Sequence, residues 1–381
     1  MKTYKNLYTQ LCSYDNLELA FKKARKRNAK KFYVRKFEEN LDYELQKLKQ
    51  ELGTLSYIPI PLKRFIIREP KTRTIHSSAF RDRVVHHALV NLLEPIFERV
   101  FICDSYASRI EKGSHKAVAR FDKFKRKISR NGKLIKNYYN KNNIVGYILK
   151  ADIKHYFNTV DHNILLKIIK RKIKDEKVLW LIKRILNNFN ARIKGKGMPL
   201  GNLTSQFFAN VYLNELDYFI KHNLRAKYYI RYVDDFVILH KSKDKLKEYQ
   251  SEISNFLKDK LTLRLHPSKS KIIPLKKGVG FLGYKIFYYH KLLRKSNLLK
   301  FKKRFREKLE EYDQGDLNYS DLIKSLRGWF GYAIWANTYE MRRKILNTIQ
   351  HPQKTTTTTC QTQTTNQEYH PQHKHTNKNN H

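Results

Sequence analysis

A pair of acidic residues inside an apolar hairpin sets the tightest limit on what this chain can become. In "YIRYVDDFVIL", residues 229–239, β-branched and aromatic side chains flank Asp234 and Asp235 on both sides. Such runs read as strands, and the Asp-Asp step between them reads as a tight turn. Asp tolerates turn geometry, so the plain reading is that these two residues make the bend. Hairpins of this kind are more often closed by Asn-Gly or Asp-Gly, however, because glycine accepts positive φ without steric cost. Two adjacent carboxylates repel each other, and the turn itself calls for neither.

The repulsion is pointed in a chain with 79 Lys plus Arg against 34 Asp plus Glu, a formal net charge of +45 over 381 residues. At 41% hydrophobic and 13% aromatic the chain can fold, and its length allows two or three packed units. The cationic excess points to a polyanionic partner, nucleic acid first; an exposed Lys-rich surface without a partner is the bland alternative. A membrane role is not expected, since there is neither a signal peptide nor an 18-residue apolar run. Cysteines at 12, 103 and 360 form no CxxC pair, so neither a disulfide framework nor a Cys-type zinc site is expected, and a reducing cytoplasm is the default location.

Along the chain, residues 1–54 read as a basic helical extension and 57–75 as strands. "RDRVVHHALVNLLEPIFERV" reads as a helix with Val84, Val85, Ala88, Leu89, Leu92 and Leu93 on one stripe, and the basic, Asn-rich segment 121–142 as a loop or insertion. "VGYILKADI" reads as a buried strand ending at Asp152, residues 163–186 as helix, and Thr204 to His222 as a long amphipathic helix. A helix over 243–260, a hairpin from Gly278 to Tyr288 and helices over 297–350 follow. Residues 351–381 are polar and low in complexity, and are expected to be a disordered tail in which "HPQHKH" is solvated rather than metal-binding.

Asp152 supplies a third carboxylate, which alone would pass as a strand-ending cap. With Asp234 and Asp235 it suggests phosphoryl transfer, which uses two Mg²⁺ about 4 Å apart, one at the attacking hydroxyl and one at the leaving group. Mg²⁺ favours carboxylates and phosphate oxygens on a rigid support.

At these residues the chain resembles the reverse transcriptases. "YVDD" fits their YxDD hairpin and "ADIKHYF" the strand carrying the first metal-binding Asp, over roughly residues 55–345. The resemblance implies an α+β right-hand polymerase: fingers and palm over 55–296, the palm an antiparallel sheet backed by helices, and a helical thumb over 297–350. It implies Asp152, Asp234 and Asp235 as catalytic metal ligands, with the Ile153 carbonyl as a further one, and Mg²⁺ as the ion with Mn²⁺ as a substitute. "REPKTRTI" resembles the motif whose cations, here Lys71 and Arg73, hold the triphosphate; "LHPSKSKI" contributes Lys269. Phe157 matches the steric gate that favours dNTPs, and "MPLGNLTSQFFAN" places Leu200, Gly201 and Gln206 at the nucleotide. Tyr232 and the "GFLGY" hairpin, with Gly280, Leu282 and Gly283, match primer-handling parts, and Trp329 lies in a helix similar to one that tracks the duplex. Taken singly, Lys71 and Arg73 read as solvated, Gly201 as a turn before a helix capped by Asn202 or Thr204, Tyr284 and Trp329 as core, and Asp161 and His162 as a helix cap. Taken in order, they read as one enzyme.

Leu200–Gly201 replaces the Gln-Gly that many members carry, and the following Ser205–Gln206 resembles diversity-generating retroelement reverse transcriptases, which copy a template RNA with errors at adenine. Losing a polar contact near the nucleotide lowers discrimination. Template RNA, primer, cDNA and dNTPs are the implied partners, with a small basic accessory protein of the retroelement as a further one. The alternatives are another free-standing bacterial reverse transcriptase (retron-like, abortive-infection or unclassified defence type), a group II intron-derived enzyme, or a non-catalytic nucleic-acid-binding module. Without room after the thumb for a maturase bundle, the intron class is expected to be the more distant, and neither a ribonuclease H nor an integrase unit fits.

Overall fold

The computed structural model describes residues 2–69, 71–137, 140–189, 191 and 193–350; the expected tail over 351–381 lies outside the described residues. Four helices open the chain: α1 (Tyr8–Leu11), α2 (Tyr14–Arg25), α3 (Phe32–Glu39) and α4 (Leu41–Gly53). The Ser13 hydroxyl caps α2 by accepting the Asn16 N–H at 3.3 Å. Leu17, Ala20, Phe21 and Ala24 then bury one face of this otherwise basic helix against α5 (Phe80–Glu98). Between them in sequence stands the antiparallel ribbon β1 (Lys63–Ile67) and β2 (Arg73–Ser77), with Ile67 opposite Arg73.

The loop expected over 121–142 is instead the end of α6 (Ser114–Ile128) followed by a hairpin, β3 (Leu134–Asn137) and β4 (Asn140–Ile144). Ala117, Val118, Phe121, Phe124 and Ile128 lie at helical spacing and are buried, which holds α6 despite its charge. Then come β5 (Tyr147–Asp152), α7 (Tyr156–Thr159), α8 (His162–Lys170) and α9 (Glu176–Asn187). One helix was expected over 163–186; Asp175 divides it by accepting the N–H groups of Lys177 and Val178 at 3.1 and 3.2 Å, which starts α9. Asp161 caps α8 in the same way, through Asn163 and Ile164.

Next is α10 (Leu203–Tyr218), prolonged by a π-helical turn to Asn223. It is not amphipathic as expected. Phe207, Phe208, Val211, Tyr212 and Leu216 are buried, and so are Asn210 and Asp217, because α10 is enclosed by α5, α8 and α11 (Lys243–Leu261). Asn202 precedes α10, but its side-chain oxygen accepts from the Ser78 hydroxyl at 2.5 Å rather than capping the helix.

Strands β6 (Tyr229–Tyr232), β7 (Asp235–His240) and β8 (Lys271–Pro274) join β5 in an antiparallel sheet of order β6-β7-β5-β8. Alternate residues Leu149, Ala151, Phe236 and Ile238 enter the main core with Leu246, Tyr249 and Ile253 of α11. The intervening Ile148 and Val237 are buried on the opposite face, as the two-residue period of a strand requires. A second sheet follows, β9 (Val279–Phe281), β10 (Tyr284–Ile286) and β11 (Lys291–Leu293), and then α12 (Lys295–Asp313), α13 (Tyr319–Ala333) and α14 (Tyr339–Gln350). Residues through Asn337 form one compact unit; α14 belongs to a second that begins at Thr338.

Candidate active site

Register brings the carboxylates together. Asp152, the last residue of β5, stands opposite Asp235, the first of β7, and Asp235 stands opposite Tyr232 at the end of β6. The bend is therefore Val233–Asp234, not Asp234–Asp235, with Val233 held at φ +54°. A β-branched residue in that region is a conformational outlier. The Asp234 carbonyl accepts the Ile153 N–H at 3.2 Å, and the Asp152 carbonyl accepts the His266 N–H at 2.7 Å, so the strand end is tied on both sides.

Two lysines meet the carboxylates. Lys269 Nζ lies 3.1 and 3.2 Å from the two Asp152 oxygens. Lys150, two residues before Asp152 and so on the same strand face, lies 3.5 Å from Asp235 Oδ2 and donates to the Gly280 carbonyl at 2.8 Å. Sequence reasoning passed over Lys150, although the two-residue spacing was there to be read. Burial pushes the Asp235 carboxyl up to about 6, with Lys150 opposing and Asp152 and Asp234 reinforcing the rise. Burial also raises Asp234, opposed by a backbone N–H and reinforced by Asp152.

A cavity of about 440 Å³ is walled by Asp152, Ile153, Asp234, Phe157, Leu200, Arg73 and Lys269. Seven of the expected site residues thus share one space. Lys71, Gly201 and Gln206 do not wall it. Lys71 is exposed between β1 and β2. Gly201, at φ +113°, faces a separate cavity of about 330 Å³; a Cβ there would stand 2.7 Å from Ile75 Cγ2, so its requirement is close approach to β2. Gln206 is exposed and accepts from the Ser108 hydroxyl at 3.2 Å.

In the β9–β10 hairpin, Leu282 and Gly283 form the two-residue bend at φ +47° and +90°, and the Gly283 carbonyl accepts from the Tyr332 hydroxyl at 2.7 Å. Trp329 of α13 stacks on Phe301 of α12, with centroids 3.5 Å apart. It lines a different cavity, of about 570 Å³, with Lys300, Arg304 and Lys308.

The carboxylate oxygens suit a divalent cation. Asp235 Oδ1 is buried with no hydrogen-bond partner, the condition of an oxygen shaped for a cation. No three acidic, His or Cys side chains among the described residues enclose a metal by themselves.

An antiparallel palm sheet presenting three aspartates, with a β-ribbon before it and paired helices after it, defines a right-hand polymerase fold. Residues 66–286 match the family model described as reverse transcriptase (RNA-dependent DNA polymerase), and the chain belongs to that family. Protein YkfC of Escherichia coli K12 is 28% identical over 294 residues, covering 67% of this chain and 72% of its own. The group II intron-encoded protein LtrA of Lactococcus lactis is 26% identical over 313 residues, covering 64% of this chain and 49% of its own. A putative COX1/OXI3 intron 2 protein of Saccharomyces cerevisiae is 23% identical, with 34% of its length covered, so the chain spans half or less of these two intron proteins. Among solved structures, telomerase from Candida albicans with a telomeric RNA fragment is similar at a TM-score of 0.46 and 11% identity, covering 64% of this chain and 48% of that one.

Proposed function

We propose that this chain extends a primer 3′-hydroxyl with deoxynucleotides along an RNA template, with Asp152, Asp234, Asp235 and the Ile153 carbonyl holding two Mg²⁺ ions. The observation that carries the reading is the shared cavity, which sets two of the carboxylates beside Arg73, Lys269, Phe157 and Leu200. When bound, Mg²⁺, or Mn²⁺ in its place, supplies activation of the 3′-hydroxyl and neutralises charge at the departing pyrophosphate. Arg73 and Lys269 line the same space as fixed cations for a triphosphate. Lys269, paired with Asp152 in the free protein, is placed to exchange that carboxylate for phosphate oxygens. Phe157 lines the same space and serves as the gate against a 2′-hydroxyl. In this reading, residues 1–54 are a basic extension, 55–296 fingers and palm, and 297–350 the thumb.

Asp152→Asn tests it. Single-nucleotide extension on an RNA template should fall by more than about 10³-fold, while template–primer affinity, carried by cationic contacts, stays within about threefold. Equal losses of affinity and rate would defeat the assignment.

The finer reading is mutagenic copying within a diversity-generating retroelement, aided by a small basic accessory protein. Its support is the Leu200 side chain in the cavity wall, at the position where many members of the family carry Gln. The intron-derived class stands nearer than the sequence alone suggested, because LtrA and the yeast protein are intron-encoded relatives. Sequencing cDNA made on one template separates the two: errors concentrated at template adenine favour the first, a low and even error rate the second.

A further inference from the structure

Two residues ahead of the catalytic bend, Arg231 is completely buried. Its Nε and Nη2 reach the two oxygens of Asp217 at 2.7 and 2.6 Å. Nη1 reaches Asn210 Oδ1 at 3.1 Å and the Val233 carbonyl at 3.2 Å. Asp217 also accepts the Tyr229 hydroxyl at 2.7 Å, and Asn210 donates to the Ala107 carbonyl at 2.8 Å. Burial alone would lower the guanidinium pKa, but Asp217, Tyr229 and Tyr156 together outweigh it and leave it raised.

A buried ion pair contributes no more to stability than well-packed apolar groups of the same volume. What a guanidinium adds is direction, since its five N–H groups form a rigid planar fork. Here the fork spans α10 at two positions, 210 and 217, and the carbonyl of Val233, the residue held at positive φ. Helix α10 begins three residues after Leu200 in the wall of the cavity. One side chain thereby joins the helix leading from the nucleotide wall to the bend that carries Asp234.

We propose that Arg231 is a positioning residue: it fixes the Val233–Asp234 bend to α10, so that Asp234 and Asp235 hold the mutual geometry catalysis requires. The proposal rests on the polymerase reading above. Sequence reasoning missed it because Arg is rarely buried; the signal was Asn210 and Asp217, seven residues apart in an apolar helix.

Two variants test it, Arg231→Lys and the double variant Arg231→Met with Asp217→Leu. The first keeps a charge for Asp217 but cannot span all the acceptors, and the second replaces the pair by apolar groups. Each is measured for thermal stability, template–primer affinity, single-turnover extension rate per folded molecule, and amide hydrogen exchange over 229–240 against 147–152. The expected result for the double variant is a folded protein with affinity within about twofold of the parent and an extension rate about 10²-fold lower, the loss typical of an ångström-scale misplacement. Exchange should quicken in 229–240 alone, and Arg231→Lys should retain part of the rate. A folded double variant with parental rate and parental exchange would overturn the proposal, and so would failure of both variants to fold, which would assign the pair to stability. An inactive parent would instead refute the polymerase reading, while the exchange comparison still decides whether Arg231 holds the bend.

Discussion

Phe157 and Leu200 wall the same cavity, and in the proposed function they govern two kinds of selectivity. Phe157 is held in place because its carbonyl accepts the Met198 N–H at 2.6 Å and its ring meets Tyr156 edge-on at 5.4 Å. Cutting the ring to Phe157→Val opens the wall without touching a carboxylate. The preference for dNTP over NTP should fall by about 10- to 200-fold, the range for removing a steric contact from a substrate pocket. Competition between labelled dNTP and NTP in single-nucleotide extension measures it; an unchanged ratio would place the gate elsewhere. Leu200 is anchored by its own carbonyl, which accepts the His76 N–H at 2.9 Å, so its side chain can change without moving the loop. Leu200→Gln adds one amide to the wall, and one hydrogen bond is worth roughly 0.5–1.5 kcal/mol, or about two- to tenfold in discrimination. Misincorporation opposite template adenine should drop by that factor, more than opposite the other bases. Deep sequencing of cDNA from both proteins checks this, and an equal change at all four bases would remove Leu200 from the account of adenine errors.

At the scale of elements, α5 makes a pH-dependent contribution that the chemistry does not use. His86 is buried within it, and burial lowers its pKa to about 3, while His87 is lowered to about 4 for the same first reason. Folded His86 is neutral where the unfolded chain, near 6.5, takes up a proton. The stabilising difference is therefore complete above about pH 6.5 and is lost as pH falls toward the folded value. For the fully buried His86 this costs about 1.4 kcal/mol of stability per pH unit across that window, or about 2 kcal/mol between pH 6.5 and 5. His86→Leu should flatten the fall in melting temperature over that range by about one proton's worth, and an unaltered slope would mean that another group governs it. Elements were legible where local pattern and burial agree. Strand β7 carries an unbroken apolar run, β5 one that is broken only by Lys150, and α5 has its stripe. The β3–β4 hairpin was not legible, because "NKNNI" has little strand character and only pairing, Leu134 with Ile144, holds it. The bend at Val233 was hidden for a related reason. Asp is the better turn residue by composition, but the register of Tyr232 with Asp235 moves the bend back by one residue, and Arg231 holds the strained carbonyl.

For the whole molecule, the charge of +45 becomes informative once paired and unpaired cations are separated. No helix among the described residues is long and apolar enough to cross a membrane. Many lysines are already engaged: Lys247 with Asp244 at 2.8 Å and Lys324 with Asp321 at 2.8 Å, for example. Lys300 and Lys308 on α12 differ. They stand eight residues apart on one side of the helix, beside the stacked Phe301 and Trp329, and neither has a carboxylate at ion-pair distance among the described residues, although Lys308 is near enough to Asp321 to help lower its pKa. In the proposed function, lysines so placed neutralise phosphates of a template–primer duplex and release its condensed counterions. A protein making six to ten such contacts loses about 10³- to 10⁵-fold in affinity between 50 and 200 mM salt, and each contact adds nearly one unit to the slope of log K against log salt. The parent should show a steep slope of that kind. Removing both charges together, as Lys300→Gln with Lys308→Gln, should weaken binding at low salt and lower the slope by about two units. The control double variant Lys247→Gln with Lys324→Gln removes the same formal charge from lysines that already have carboxylate partners, and should leave the slope within about half a unit of the parent. Fluorescence anisotropy of a labelled RNA–DNA duplex across the salt series reads both. Equal slope changes in the two variants would mean that net charge, rather than the α12 face, governs affinity.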